Sequence, residues 1–132
     1  MIFVDSSHWI ARFMPRDRRH ADAVAASYAA AGSRLVTSSL VLGETWTFLR
    51  KRAGHRPAMA WLDAVLGELA VRVERTSADL EDDAWAWLRV HDERSYSFVD
   101  ATSFVLMRKL RITDALAFDG DFAAAGFNEL RG

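Results

Sequence analysis

The sequence predicts an α/β domain of three layers: a central, mainly parallel sheet of four to five short strands flanked by helices. Three observations predict it. Residues 2–4 and 115–118 are short apolar runs without alternation, the pattern of strands buried on both faces. Longer segments with helix-start and helix-stop signals separate such runs, as in a chain that alternates strand and helix. The 132 residues hold no linker, low-complexity tract or repeat, and they suffice for one core, so residues 1–132 read as a single domain.

Each element has its own signal. Residues 2–4 form the first strand and residues 8–14 suit a short helix. Residues 17–31 are rich in alanine, which favours helix, and Gly32 follows as a stop. Arg34 to Thr37 reads as a strand. Residues 40–52 fit a helix closed by Gly54, and residues 58–68 a helix that begins just after Pro57. Ala70 to Glu74 resembles a third strand. Thr76-Ser77-Ala78-Asp79 has capping-box spacing and opens a helix to about Val90; Ser97-Phe98-Val99-Asp100 repeats that spacing and opens another to about Leu110. Residues 115–118 are a fourth strand. Asp121 to Ala125 fits one helical turn, and Phe127 to Leu130 a last strand.

Four acids interrupt this apolar pattern. Asp5 ends the run Met1-Ile2-Phe3-Val4, and Asp119 ends Ala115-Leu116-Ala117-Phe118. Glu44 has Leu40, Val41 and Phe48 at helical spacing, so it is expected to project from a largely apolar face. Asp100 stands in the first turn of its helix, where unpaired N–H groups favour an anion. In an open parallel sheet, sites form beyond the carboxyl ends of the strands, and all four acids can reach that edge. Singly, Asp5, Asp100 and Asp119 have structural explanations as helix caps or turn residues. Glu44 has no such explanation, since a helix interior offers it no backbone donor.

Clustered carboxylates repel and do not all stay ionised without a counter-charge. The chain has no cysteine, which excludes disulfides, thiol catalysis and Cys-based zinc sites, and its histidines (His8, His20, His55, His91) lack metal-binding spacing and read as surface or cap residues. An all-oxygen set favours Mg²⁺ or Mn²⁺ and suits metal-assisted phosphodiester hydrolysis. The net charge of −1 argues against binding nucleic acid by overall charge alone. Two basic clusters, Arg50-Lys51-Arg52 and Arg108-Lys109-Arg111, read as solvated helix ends or as phosphate contacts. Trp85 and Trp87 face different ways on their helix, one to the core and one partly to solvent, and Trp9 and Trp46 read as walls of the acidic site. The chain has neither a signal-peptide pattern nor a bilayer-spanning run, which with the missing cysteines fits a cytoplasmic protein.

The acids with their flanks resemble a known family, the PIN domains, and among them the VapC-type ribonuclease toxins of bacterial toxin–antitoxin pairs. The matching pieces are Ile2-Phe3-Val4-Asp5-Ser6-Ser7, Thr37-Ser38-Ser39-Leu40-Val41-Leu42-Gly43-Glu44, Ser97-Phe98-Val99-Asp100-Ala101-Thr102-Ser103-Phe104 and Ala117-Phe118-Asp119-Gly120-Asp121-Phe122. The resemblance implies a metal-dependent endoribonuclease in which Asp5, Glu44, Asp100 and Asp119 hold Mg²⁺ or Mn²⁺, with Asp121 a substitute for the fourth acid and Ser6 a supporting hydroxyl. It implies an RNA substrate (tRNA, rRNA or mRNA), a cognate antitoxin whose tail blocks the acidic groove, and a homodimer. The competing readings are a non-catalytic PIN-like module that binds RNA or protein, and a phospho-acceptor receiver domain. The latter lacks both an acceptor Asp after the third strand, which ends Val73-Glu74-Arg75, and any lysine after Lys109.

Overall fold

The computed structural model describes all of residues 1–132. In chain order the elements are β1 (Ile2–Val4), α1 (Ser6–Phe13), α2 (His20–Ala29), β2 (Leu35–Ser38), α3 (Ser39–Ala53), α4 (His55–Leu66), β3 (Arg72–Glu74), α5 (Ala78–Val90), α6 (Phe98–Lys109), β4 (Asp114–Leu116), α7 (Asp121–Ala124) and β5 (Asn128–Glu129). The five strands form one sheet in the order β3-β2-β1-β4-β5, and every pairing is parallel.

β1 is the middle strand, which is why its side chains do not alternate: Phe3 and Val4 are fully buried. The core above and below it is aromatic. Trp9 meets Trp61 edge-on at 6.1 Å, Phe3 stacks on Phe122 at 6.1 Å, and Phe104 meets Phe122 edge-on at 4.9 Å. The chain leaves β1 toward β2 on one side and returns as β4 on the other. The carboxyl ends of β1 and β4 therefore flank the point where the strand order reverses, where open sheets form clefts.

Most helix ends follow the sequence signals. Ser97 and Asp100 form the expected capping box, with both reciprocal bonds present (2.9 and 3.0 Å). Ser38 caps α3 through the Val41 N–H, and Gly54 closes it at φ 108°, a conformation that disfavours a side chain. The same glycine opens α4, so Pro57 lies inside the first turn, where its missing N–H costs nothing, and does not precede the helix. The box expected at Thr76-Asp79 is shifted: Ser77 is the cap, bonding the Leu80 N–H, while Thr76 donates to Glu81. α2 starts at His20, because residues 15–19 form a turn held by the Asp17 carboxylate on the Arg19 N–H (2.8 Å). β3 is an edge strand and is only partly covered.

Candidate metal centre

β1 delivers Asp5 to the carboxyl edge of the sheet. Its backbone N–H continues the ladder onto Leu116 O of β4 (3.0 Å), and its side chain caps α1. The carboxylate is buried and accepts both the N–H (3.2 Å) and the hydroxyl (2.7 Å) of Ser7 through Oδ2. The Ser7 hydroxyl in turn accepts the Phe118 N–H (3.0 Å), tying α1 to the segment that carries Asp119. Thr37 of β2 donates to Val4 O at the same edge (2.9 Å).

Asp5, Asp100 and Asp119 each present a carboxylate oxygen within 4.8 Å of the others. Each commits one oxygen to its scaffold: Asp5 Oδ2 to Ser7, Asp100 Oδ2 to the Ser97 N–H, and Asp119 Oδ1 to the Asp121 N–H (3.0 Å). The second oxygen of each has no protein donor. Burial and the neighbouring charges of Asp119 and Asp100 push the Asp5 carboxyl up to about 8, against the pull of its Ser7 bonds. Asp119 is the most accessible of the three, yet partial burial and then Asp100, Asp121 and Glu129 push its carboxyl up to about 6. Asp100 is raised by burial and by Asp121.

Glu44 corrects the expectation made for it. It is exposed on α3, although Val41 beside it is buried and Leu40 and Phe48 are partly so. Its carboxyl is nevertheless raised, by partial burial and then by Asp100 and Asp119, so it faces the same cluster from outside the tight group. Asp121 is engaged elsewhere: its Oδ1 pairs with Arg94 Nε at 2.8 Å. Glu129, whose side chain is almost fully buried, accepts the N–H groups of Gly120 (3.3 Å) and Ala123 (2.9 Å) and pairs with Arg131 (2.8 Å), which fixes the loop that holds Asp119.

Ser7 is the residue that sequence reasoning missed. Ser6 was expected to support Asp5 or to cap α1, but Asp5 is itself the cap and Ser7 makes the bonds. The signal was the cap spacing, which pairs a cap side chain with the N–H two or three residues on. His8 is fully buried against Phe118 and Trp9, not at the surface; burial pushes it down to about 4, so it is neutral. Trp9 lies in the core beside the site, whereas Trp46 turns to α4, its indole N–H on Met59 Sδ (3.3 Å), and is not a wall of it. Trp85 is half exposed and stacks on Phe98, and Trp87 packs among His91, Tyr96 and Phe104.

Ser7→Ala would remove a bond that favours the charged form of Asp5 and would orphan the Phe118 N–H. The expected cost is about 1–3 kcal/mol of stability and roughly 10–100-fold in divalent-ion affinity. Thermal melting and Mn²⁺ titration by calorimetry check both.

Residues 2–128 match the PIN domain family. The chain is 55% identical over 131 residues to the 23S rRNA-specific endonuclease VapC20 of Mycobacterium tuberculosis, from strains CDC 1551 / Oshkosh and ATCC 25618 / H37Rv, covering 99% of this chain and 98% of that protein. The crystal structure of Mycobacterium tuberculosis VapC20, described as a sarcin-ricin loop cleaving toxin, superposes with a TM-score of 0.92 at 53% identity over the whole of both chains.

Proposed function

The chain belongs to the PIN-domain family, and from that premise we infer that it is an endoribonuclease toxin that hydrolyses RNA phosphodiester bonds at the carboxylate cluster. The observation that carries the reading is that carboxylate oxygens of Asp5, Asp100 and Asp119 lie within 4.8 Å of one another, on carboxyls raised by burial and by neighbouring acids. Such a set fits a hard divalent cation, Mg²⁺ or Mn²⁺, which would relieve the repulsion. Asp5, Asp100 and Asp119 would hold it, with Glu44 completing the set from α3, and Asp119 rather than the Arg94-paired Asp121 as the fourth acid. When bound, the ion supplies a water of lowered pKa and charge neutralisation at the phosphate.

The protein's own groups divide the remaining work. Ser7 and the capping box hold Asp5 and Asp100 rigid. Asp119, the most accessible of the three aspartates, suits the acceptor of the water's proton. The similarity to a 23S rRNA-specific endonuclease makes ribosomal RNA the first substrate to test, and the toxin reading implies an antitoxin partner and a homodimer. No helix is long and apolar enough to cross a membrane.

Purified protein is expected to cut RNA in Mg²⁺ or Mn²⁺ and not in EDTA. Protein that binds a divalent ion yet cuts no RNA, ribosomal RNA included, would return the chain to a non-catalytic binding role.

A further inference from the structure

The turn between α1 and α2 concentrates cations beside the acids. Residues 12–19 hold Arg12, Arg16, Arg18 and Arg19 against the single acid Asp17, in a chain whose net charge is −1. Two crevices open on either side of Ile10 and share Asp17. One, of about 270 Å³, is lined by Ser7, Phe118, Arg18 and Arg19, so it adjoins both Asp5 and Asp119. The other, of about 180 Å³, is lined by Arg16 on the turn and by Phe48 and Arg52 on α3.

Glu44, Phe48 and Arg52 stand four residues apart and therefore share one face of α3, with Arg52 about 12 Å along the axis from Glu44. Arg52 is steadied over the Phe48 ring at 5.1 Å. Arg19 is consumed by structure: it donates to Phe118 O and lies over the Phe118 ring at 5.4 Å. The ion pairs of the molecule are Arg72–Glu74, His91–Glu93, Arg94–Asp121 and Arg131–Glu129. Arg16, Arg18 and Arg52 are exposed and take part in none of them. Exposed guanidiniums outside any ion pair, on two crevices that share Ile10 and Asp17, suit phosphates.

We propose that Arg16, Arg18 and Arg52 form a backbone track that holds the RNA strand as it leaves the carboxylate cluster across the α1–α2 turn. The proposal rests on the nuclease reading for the direction of the strand and on the two crevices for the contacts. In this role the guanidiniums meet phosphates, which carry charge and spacing and no sequence information. The track therefore sets substrate affinity and salt dependence, while the acids set the rate.

The test compares wild-type protein with R16A/R18A/R52A, with R16K/R18K/R52K, and with R34A/R56A/R89A as a charge-matched control from other exposed positions. RNA binding is followed by anisotropy in EDTA across a salt series, and cleavage in Mn²⁺ on a long RNA and on one too short to reach the turn. The alanine triple is expected to bind at least about tenfold more weakly at low salt and to lose about two from the salt slope. On the long RNA its KM should rise with kcat unchanged, and the short RNA should be cut as by wild type. The lysine triple should keep the slope, and the control should behave as wild type. An alanine triple equal to wild type in affinity and slope, or a control that loses as much, overturns the track while leaving the nuclease standing. Wild-type protein whose salt slope depends on the three arginines but which cuts nothing keeps the track and removes the nuclease. Wild-type protein that binds no RNA overturns the track.

Discussion

Asp5→Asn is expected to abolish RNA cleavage while leaving the metal-free protein at least as stable as its parent at neutral pH. The amide keeps an oxygen for the Ser7 donors but supplies no charge to a cation. Loss of several kcal/mol of electrostatic stabilisation corresponds to a rate at least about a thousandfold lower. The stability side follows from linkage. Asp5 has an ordinary value of 3.8 and is pushed up to about 8 in the fold, so between those values the native state binds more protons than the unfolded chain. Its contribution is fully present below about pH 4 and is lost as pH rises toward 8, with a slope of at most about 1.4 kcal/mol per pH unit. Asp119 adds to the same trend between its ordinary value of 3.8 and about 6. Melting in EDTA at pH 5 and pH 8 should therefore show wild type losing stability with pH and Asp5→Asn losing clearly less. An Asn variant that cuts RNA at the parental rate, or that melts well below the parent at pH 8, contradicts the placement of Asp5.

Divalent cations should reverse that pH dependence. A ligand present at about 100 times its dissociation constant stabilises by about 2.7 kcal/mol, which for a chain of this size raises the melting midpoint by roughly 10 °C. The gain should be larger at pH 8 than at pH 5, because binding must first displace the proton that burial holds on Asp5. Calorimetry in buffers of different ionisation enthalpy should detect proton release on Mn²⁺ addition. A midpoint that rises equally at both pH values, or equally for Asp5→Asn, would place the ion away from this cluster.

How much of this was legible in the sequence depended on how local each cause was. Asp5 and Asp119 could be read because each ends an apolar run, and a parallel sheet brings such ends to one edge. Asp100 could be read because its capping box is a four-residue signal, and the structure contains that box. Glu44 joined the set by an argument that the structure reverses: Leu40, Val41 and Phe48 lie near it in sequence, yet the glutamate itself stays exposed. Ser7 was hidden by a one-residue ambiguity at the start of α1, and the partner that gives it meaning, the Phe118 N–H, lies 111 residues away. His8 was misread for the same reason, since the Phe118 ring that stacks on it at 6.0 Å comes from the far end of the chain. The arginine track needed the crevices, which no spacing rule contains.

The middle position of β1 has a consequence for how the activity comes into being. Asp5 and Asp119 adjoin strands that pair directly, yet almost all of the chain lies between them. Pairings of such sequence separation slow folding, because a long loop must close before they contribute. A fragment that lacks either end therefore lacks at least one of the clustered acids. The carboxylate cluster is therefore complete only in a chain whose two ends have met: β1 and β4 must pair before Asp5 and Asp119 stand together.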